Sequence, residues 1–324
     1  MKPRRTSTEA GPVGRPGSGR RPSRVVIWYG DLVSMRRLSL RGLAYVLLPV
    51  AWIVGFLLLP MVVLLAMSFV QRGPYGTVVW DFSLENFRRL LCFGTLEWSA
   101  DYLRILGRSV WIALVTTVVS IAAAYPLSFF IARRPARSRY LWLALVIIPF
   151  CTNLVIRTYA WMLILSSRMP PARLVQWLGW IPLDTALYPG RLALYIGMVS
   201  SFLPFAVLPI YTNVEKLDWS LVESARDLYA GKRRTFMHAV LPQTLPGLCV
   251  AIIFTFIPAM GAFVVPDLLG GAKVWMVGNL IQQQFGPSRD WPFGAAISSA
   301  LMVVTLAVLL VLRGRAVGIE EGAR

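Results

Sequence analysis

Histidine is nearly missing from this chain of 324 residues, where His238 stands alone. One imidazole leaves no set of histidine ligands for a metal and no free base to place beside a Ser or Cys nucleophile, so catalysis by side chains is not expected. Cysteine is scarce too. Cys92, Cys151 and Cys249 form no CxxC pair, and the last two fall inside apolar runs, where a thiol behaves as a small hydrophobe. Neither a disulfide framework nor a redox centre is read. Charge is thin at 15% of residues and acidic charge thinnest, with 15 Asp and Glu against 33 Lys and Arg, a net +18. In a soluble protein that excess suggests nucleic acid. This chain, however, is 56% hydrophobic with a mean hydropathy of +0.62, the mark of a membrane protein, and there basic residues report topology. Its expected surroundings are membrane lipid, not nucleic acid.

Six apolar runs are long enough to cross a bilayer as helices: residues 43–70, 110–132, 141–165, 192–214, 245–265 and 294–312. The first would reach about 42 Å as a helix, against a hydrocarbon core of about 30 Å, so it spans with tilt or protrudes. Its length, without a convincing small-residue cleavage site, sets it apart from a signal peptide. Residues 1–41 before it are rich in Pro, Gly, Ser and Arg, with ten basic groups against Glu9 and Asp31, the composition of a disordered tail. An even number of spans puts both termini on one side. That side, with residues 133–140 and 215–244, holds 22 basic residues, and the opposite loops hold 10. The positive-inside rule makes it the cytoplasm. The expected organisation is all-α: a cytoplasmic tail (1–41), a body of six transmembrane helices (42–313) and a short cytoplasmic C-terminus (314–324).

The connection 215–244 is about thirty residues, where a turn between helices needs about 2–8. It must fold into something. Ser220-Leu221-Val222-Glu223 has the S-x-x-E form of a capping box, and Leu221, Ala225 and Leu228, with Val222 and Tyr229, recur at helical spacing. Ala230-Gly231 offers a turn, and a second helical piece over 232–240 is expected to stop at Leu241-Pro242, where proline cannot continue the ladder. Glu223-Ser224-Ala225-Arg226-Asp227-Leu228, then Gly231, then Leu241-Pro242, resembles the EAA loop of ABC-importer permeases, whose helix-turn-helix docks into a groove on the ATP-binding subunit. Two positions depart from that pattern. Ser224 replaces the second small Ala, and Tyr229 stands where Gly is common, which makes Gly231 the candidate for the flexible turn. The plainer alternative is an interfacial helix capped by Glu223.

Resemblance extends over nearly all of residues 43–312. Arg157-Thr158-Tyr159-Ala160-Trp161, Pro266-Asp267-Leu268-Leu269-Gly270-Gly271-Ala272-Lys273, Gly278-Asn279-Leu280-Ile281 and Arg289-Asp290-Trp291-Pro292-Phe293-Gly294-Ala295-Ala296 are similar to the spermidine/putrescine permeases. That resemblance implies a permease subunit of the bacterial inner membrane, working by alternating access and without a cofactor. It implies a second homologous permease subunit, ATP-binding cassette ATPase subunits docked on Glu223, Ser224, Ala225, Asp227, Gly231, Leu241 and Pro242, and an extracytoplasmic substrate-binding protein. No G-x-x-x-x-G-K-[ST] loop is present: Gly231-Lys232 is followed by Arg233, and Gly270-Gly271-Ala272-Lys273 by Val274. ATP hydrolysis is therefore expected in a separate subunit. The alternatives are a permease for another small solute and a self-contained secondary transporter or channel. The latter needs carboxylates or His at mid-membrane depth, and the first four spans contain no acidic residue.

Arg157 is the one plainly intramembrane charge, about 24 Å along a helix starting at Leu141. A fixed cation suits a polyamine pathway poorly, which favours a structural role, bonded to backbone carbonyls or to a carboxylate such as Asp267. Asp267 is the better ligand candidate, because a polyammonium substrate needs carboxylates and aromatic faces, and Tyr159, Trp161 and Trp291 are candidates for the faces. An interfacial aromatic belt and a capped helix end would use the same residues. Gly270-Gly271 reads as a tight turn allowing a re-entrant connection, or as a plain loop.

Overall fold

The computed structural model describes residues 40–91, 101–179, 182, 185–271 and 274–322, so the expected disorder of the basic tail falls almost wholly outside the described residues, as do Cys92 and Lys273. Two units separate along the chain, Met1–Met61 and Val62–Arg324. Helix α1 (Leu40–Ser68) contains no acidic residue, is apolar on every face and keeps all its described side chains from 45 to 66 exposed. A helix that is hydrophobic all round and unburied by protein is one made for lipid.

The second unit is built on three long helices, α3 (Asp101–Ala132), α7 (Arg191–Glu215) and α9 (Lys232–Met260), packed against one another. In hydrocarbon the hydrophobic effect cannot hold helices together, so small residues that permit close approach and a few interhelical hydrogen bonds must. Ala113, Thr116, Thr117, Ser120, Ala124 and Ser128 form such a buried stripe on α3. On α9, Gly247 lies so close to α7 that a Cβ would strike the Asn213 side chain and the Pro209 carbonyl. Across these seams the Ser128 hydroxyl donates to the Val207 carbonyl at 3.2 Å, and the Tyr125 and Thr244 hydroxyls pair at 2.8 Å.

Short elements fill the connections. A ribbon of two-residue strands, β1 (Gln71–Arg72) and β2 (Val78–Val79), precedes α2 (Glu85–Leu90). After α9 come α10 (Val264–Gly270) and α11 (Val277–Phe285), and α12 (Trp291–Gly322) closes the chain. Among the described residues, five helices are long and apolar enough to cross a membrane.

The third expected span differs from a single helix. It is a pair, α4 (Ala136–Cys151) and α5 (Leu154–Ile164), bent through 97°, and counts as a sixth span if taken as one. Residue chemistry at the break explains it. Thr152 is extended and bonds back to the Pro149 carbonyl at 2.6 Å, ending α4, while the Asn153 side chain accepts the Val155 N–H at 2.8 Å and starts α5. The distance expected for Arg157 along an unbroken helix therefore does not hold. Helix α6 (Pro170–Trp177) follows this pair.

Candidate functional site

Residues 215–244 fold as a helix and the start of a span. Helix α8 (Trp219–Asp227) is capped by Asp218, whose carboxylate accepts the Ser220 N–H at 2.9 Å. The expected Ser220–Glu223 capping box is thus corrected: an aspartate two residues earlier takes the cap, Ser220 enters the helix, and Glu223 moves to an exposed place in the second turn. Hydrogen bonds from Ser220, hydroxyl first and backbone second, hold the Asp218 carboxyl below the usual carboxylate range.

Val222 points inward, onto Leu217, Ala239 and Val240, and Ala225 packs half-buried against the same cluster, so Ala225 faces the protein's own core. Leu221, Ser224 and Leu228 form the exposed stripe, with Asp227 beside them. At its end, Leu228 and Tyr229 are 82% and 98% exposed. The left-handed turn residue is Tyr229, at φ +56°, and not Gly231, which is at φ −62° and opens α9.

Helix α9 does not stop at Leu241-Pro242. It runs on through a π turn, Phe236–Val240, in which the Leu241 N–H reaches back to the Phe236 carbonyl. That widened turn makes room for a proline ring and absorbs its missing N–H. Gln243 then ties the loop down, accepting the Asp218 N–H at 2.9 Å and donating to the Ala239 carbonyl at 2.7 Å. Helix α8 is consequently fixed to both α7, through the Lys216-Leu217 turn, and α9.

The residues expected along a pathway are dispersed. Arg157 donates from Nη1 to the Pro149 carbonyl at 2.8 Å, its Nε has no partner, and it makes no ion pair with Asp267. It lines a cavity of about 300 Å³ with Phe150, Phe202, Phe205 and Phe263. Asp267 is exposed on α10, at a small pocket of about 50 Å³ shared with Trp275, Gln282 and Gln283. Helix α10 packs against α5, but Trp161 turns into the core, Tyr159 stays exposed, and Trp291 sits edge-on to Phe285 at 6.4 Å. The four do not share one cavity. Trp275, Gln282 and Gln283 are the neighbours of Asp267 that sequence reasoning missed; the Gln282-Gln283-Gln284 run was the available signal. At Gly271 the expected tight turn is present, with φ +60° and Pro189 where a Cβ would stand.

Asp290, read only as part of a motif, organises the end of the molecule opposite α8. Its carboxylate is 2% exposed and meets Arg89 at 3.2 Å and Arg72 at 3.7 Å, while its other oxygen accepts the Phe293 N–H at 3.2 Å. Arg89 also lies over the Phe293 ring at 4.3 Å. One carboxylate therefore fastens the ribbon and α2 to the start of α12.

Residues 124–317 match the model of the binding-protein-dependent transport system inner membrane component family. The chain is 40% identical over 262 residues to the spermidine/putrescine transport system permease protein PotB of Escherichia coli K12, covering 81% of this chain and 93% of that one. With the PotB of Haemophilus influenzae it shares 35% identity over 261 residues, 81% of this chain and 89% of the relative. Among solved structures it is similar to a chain of a bacterial ABC transporter involved in the import of the acidic polysaccharide alginate, with a TM-score of 0.62 at 16% identity, covering 90% of this chain and 98% of that chain.

Proposed function

The chain belongs to the binding-protein-dependent transport system inner membrane component family, and from that premise we propose that it is the polyamine-translocating permease subunit of an ATP-driven importer. The observation that carries this reading is the 40% identity to a spermidine/putrescine permease across 93% of that protein's length. A second permease subunit encloses the pathway with it, a pair of ATPase subunits supplies ATP hydrolysis, and an extracytoplasmic binding protein delivers substrate. Both termini and α8 face the cytoplasm, in keeping with the 22 to 10 division of basic residues.

In this reading the exposed stripe of α8, with Glu223 and Asp227 beside it and Leu228-Tyr229 at its tip, enters the ATPase groove. Closure of the ATPase pair then moves α8. Because α8 is pinned to α9 through Val222 and Gln243 and to α7 through Leu217, the displacement passes into two core helices as a rigid-body motion, which is what alternating access requires. Asp267, with Trp275 beside it, supplies a carboxylate and an aromatic face for a polyammonium ion at the opposite end. Arg157, held by the Pro149 carbonyl, has a structural role at the α4–α5 bend.

The test is uptake of labelled putrescine and spermidine by the assembled transporter, wild type against Asp267→Asn. Uptake of both is expected, with the variant weakened and its assembly intact. Transport that prefers a neutral sugar or an anion would reject the polyamine assignment, and transport by this chain alone in liposomes would reject the ATP-driven one.

A further inference from the structure

At the α8 end of the molecule a cleft of about 1140 Å³ opens between the end of α3 and the α8–α9 turn. Its rim carries four cations, Arg133, Arg134, Arg226 and Lys232, and no acidic residue lines it. None of the four has an ion pair or a side-chain hydrogen bond among the described residues. Arg134 lies over the Phe130 ring at 4.2 Å and Arg133 over Trp219 at 5.8 Å, contacts that hold the guanidinium groups in place without neutralising them. The wall then changes character. Tyr125, Pro126 and Phe129 continue the cleft along α3, one to two turns deeper than Arg133, and Val240 and Phe236 face them from α9. Eight residues of helix, Tyr125 to Arg133, carry that apolar wall about 12 Å below the charged rim.

Four unneutralised cations at the mouth and an aromatic and aliphatic trough beneath them match one chemical class: an anion joined to a hydrocarbon chain. A free phosphate uses the rim alone, and an apolar peptide leaves the cations unpaired. We propose that this cleft is a binding site for an anionic phospholipid, its phosphate among Arg133, Arg134, Arg226 and Lys232 and an acyl chain along Tyr125 and Phe129. The inference rests on the proposed membrane topology, which puts the rim at the headgroup level, where basic clusters attract anionic lipid. A lipid seated here touches both α3 and the α8–α9 turn, so it braces the loop proposed to dock the ATPase.

Full-length protein is purified from nanodiscs of equal phosphatidylglycerol and phosphatidylcholine, and the retained lipids are quantified by native mass spectrometry. Wild type is expected to retain phosphatidylglycerol preferentially. The preference should fall about fivefold for each rim cation removed, as in Arg133→Gln with Arg134→Gln. It should survive Arg168→Gln with Arg173→Gln, which leave the cleft untouched. Undiminished preference in the Arg133/Arg134 variant overturns the site. So does displacement of the lipid by inorganic phosphate at millimolar concentration, which marks a simple anion site, or loss of the lipid on ATPase binding, which marks a protein interface. These readouts do not depend on what is transported, so a failed polyamine assay and a failed lipid assay are separate results.

Discussion

Asp290 shows what one acidic residue can do in a chain that has so few. Its buried carboxylate accepts from Arg89 and from the first turn of α12, and the cost of placing that charge inside is offset only while both sets of donors remain. The partners are different, with Arg72 and Arg89 side chains 46% and 35% exposed and able to return to water. The loss should therefore be asymmetric. Asp290→Asn is expected to cost about 2 kcal/mol, the worth of hydrogen bonds to a charged group, whereas Arg72→Gln should cost under about 1 kcal/mol, as an exposed ion pair does. Thermal unfolding of the purified protein compares the two, and equal losses would show that Asp290 is not the organising member. Nothing in the sequence marked Asp290 for this role, because its partners are 201 and 218 positions away.

Helix α8 is legible in the sequence as an element but not in its details. A helix followed by a turn was legible from loop length and periodicity. Its details were not, since a capping box and an Asp cap two residues earlier are both good local solutions, and only the placement of Asp218 against Gln243 decides between them. The structure differs from expectation at Pro242 for a related reason: proline ends an α-helix of regular pitch, but a π turn lets the helix pass. The inward turn of Ala225 and the outward turn of Glu223 and Leu228 now separate two kinds of variant. Glu223→Ala alters only an exposed side chain and should leave stability within about 0.5 kcal/mol while reducing co-purification of the ATPase. Gln243→Leu removes the brace between α8 and α9 at about 1 kcal/mol. It should leave the ATPase bound and lower substrate-stimulated hydrolysis. Both effects are read from one preparation, and normal association with normal stimulation in both variants would remove α8 as the coupling element. Tyr229→Gly tests the turn itself: it relieves a left-handed backbone conformation worth about 1 kcal/mol, so thermal unfolding should move upward, while co-purification of the ATPase reads the loss of the exposed aromatic.

The number of membrane crossings decides which side α8 occupies, and that number rests on the bent pair α4–α5. Helix α4 is 16 residues, about 24 Å, nearly the hydrocarbon thickness by itself, and α5 leaves it at 97°, closer to the membrane plane than to its normal if α4 stands upright. A pair that crosses gives six spans and returns α8 to the side of the N-terminus. A pair that re-enters gives five and sends α8 to the other side, away from ATP. Charge discriminates between these: six crossings divide the basic residues 22 to 10, and five weaken the bias to 19 against 13, with Arg157 outside either count. The sequence displayed the apolar length of this segment but not its bend, because Pro149, Thr152 and Asn153 act through a local break that hydropathy averages away. Reporter fusions after Gly76 and Gly179 are expected to lie outside the cytoplasm, and fusions after Ala136 and Lys232 inside it. Gly179 and Lys232 carry the decision, since both change sides together if the pair re-enters. A Lys232 fusion found outside would leave the ATPase nothing to grip, and the coupling mechanism would fail with it.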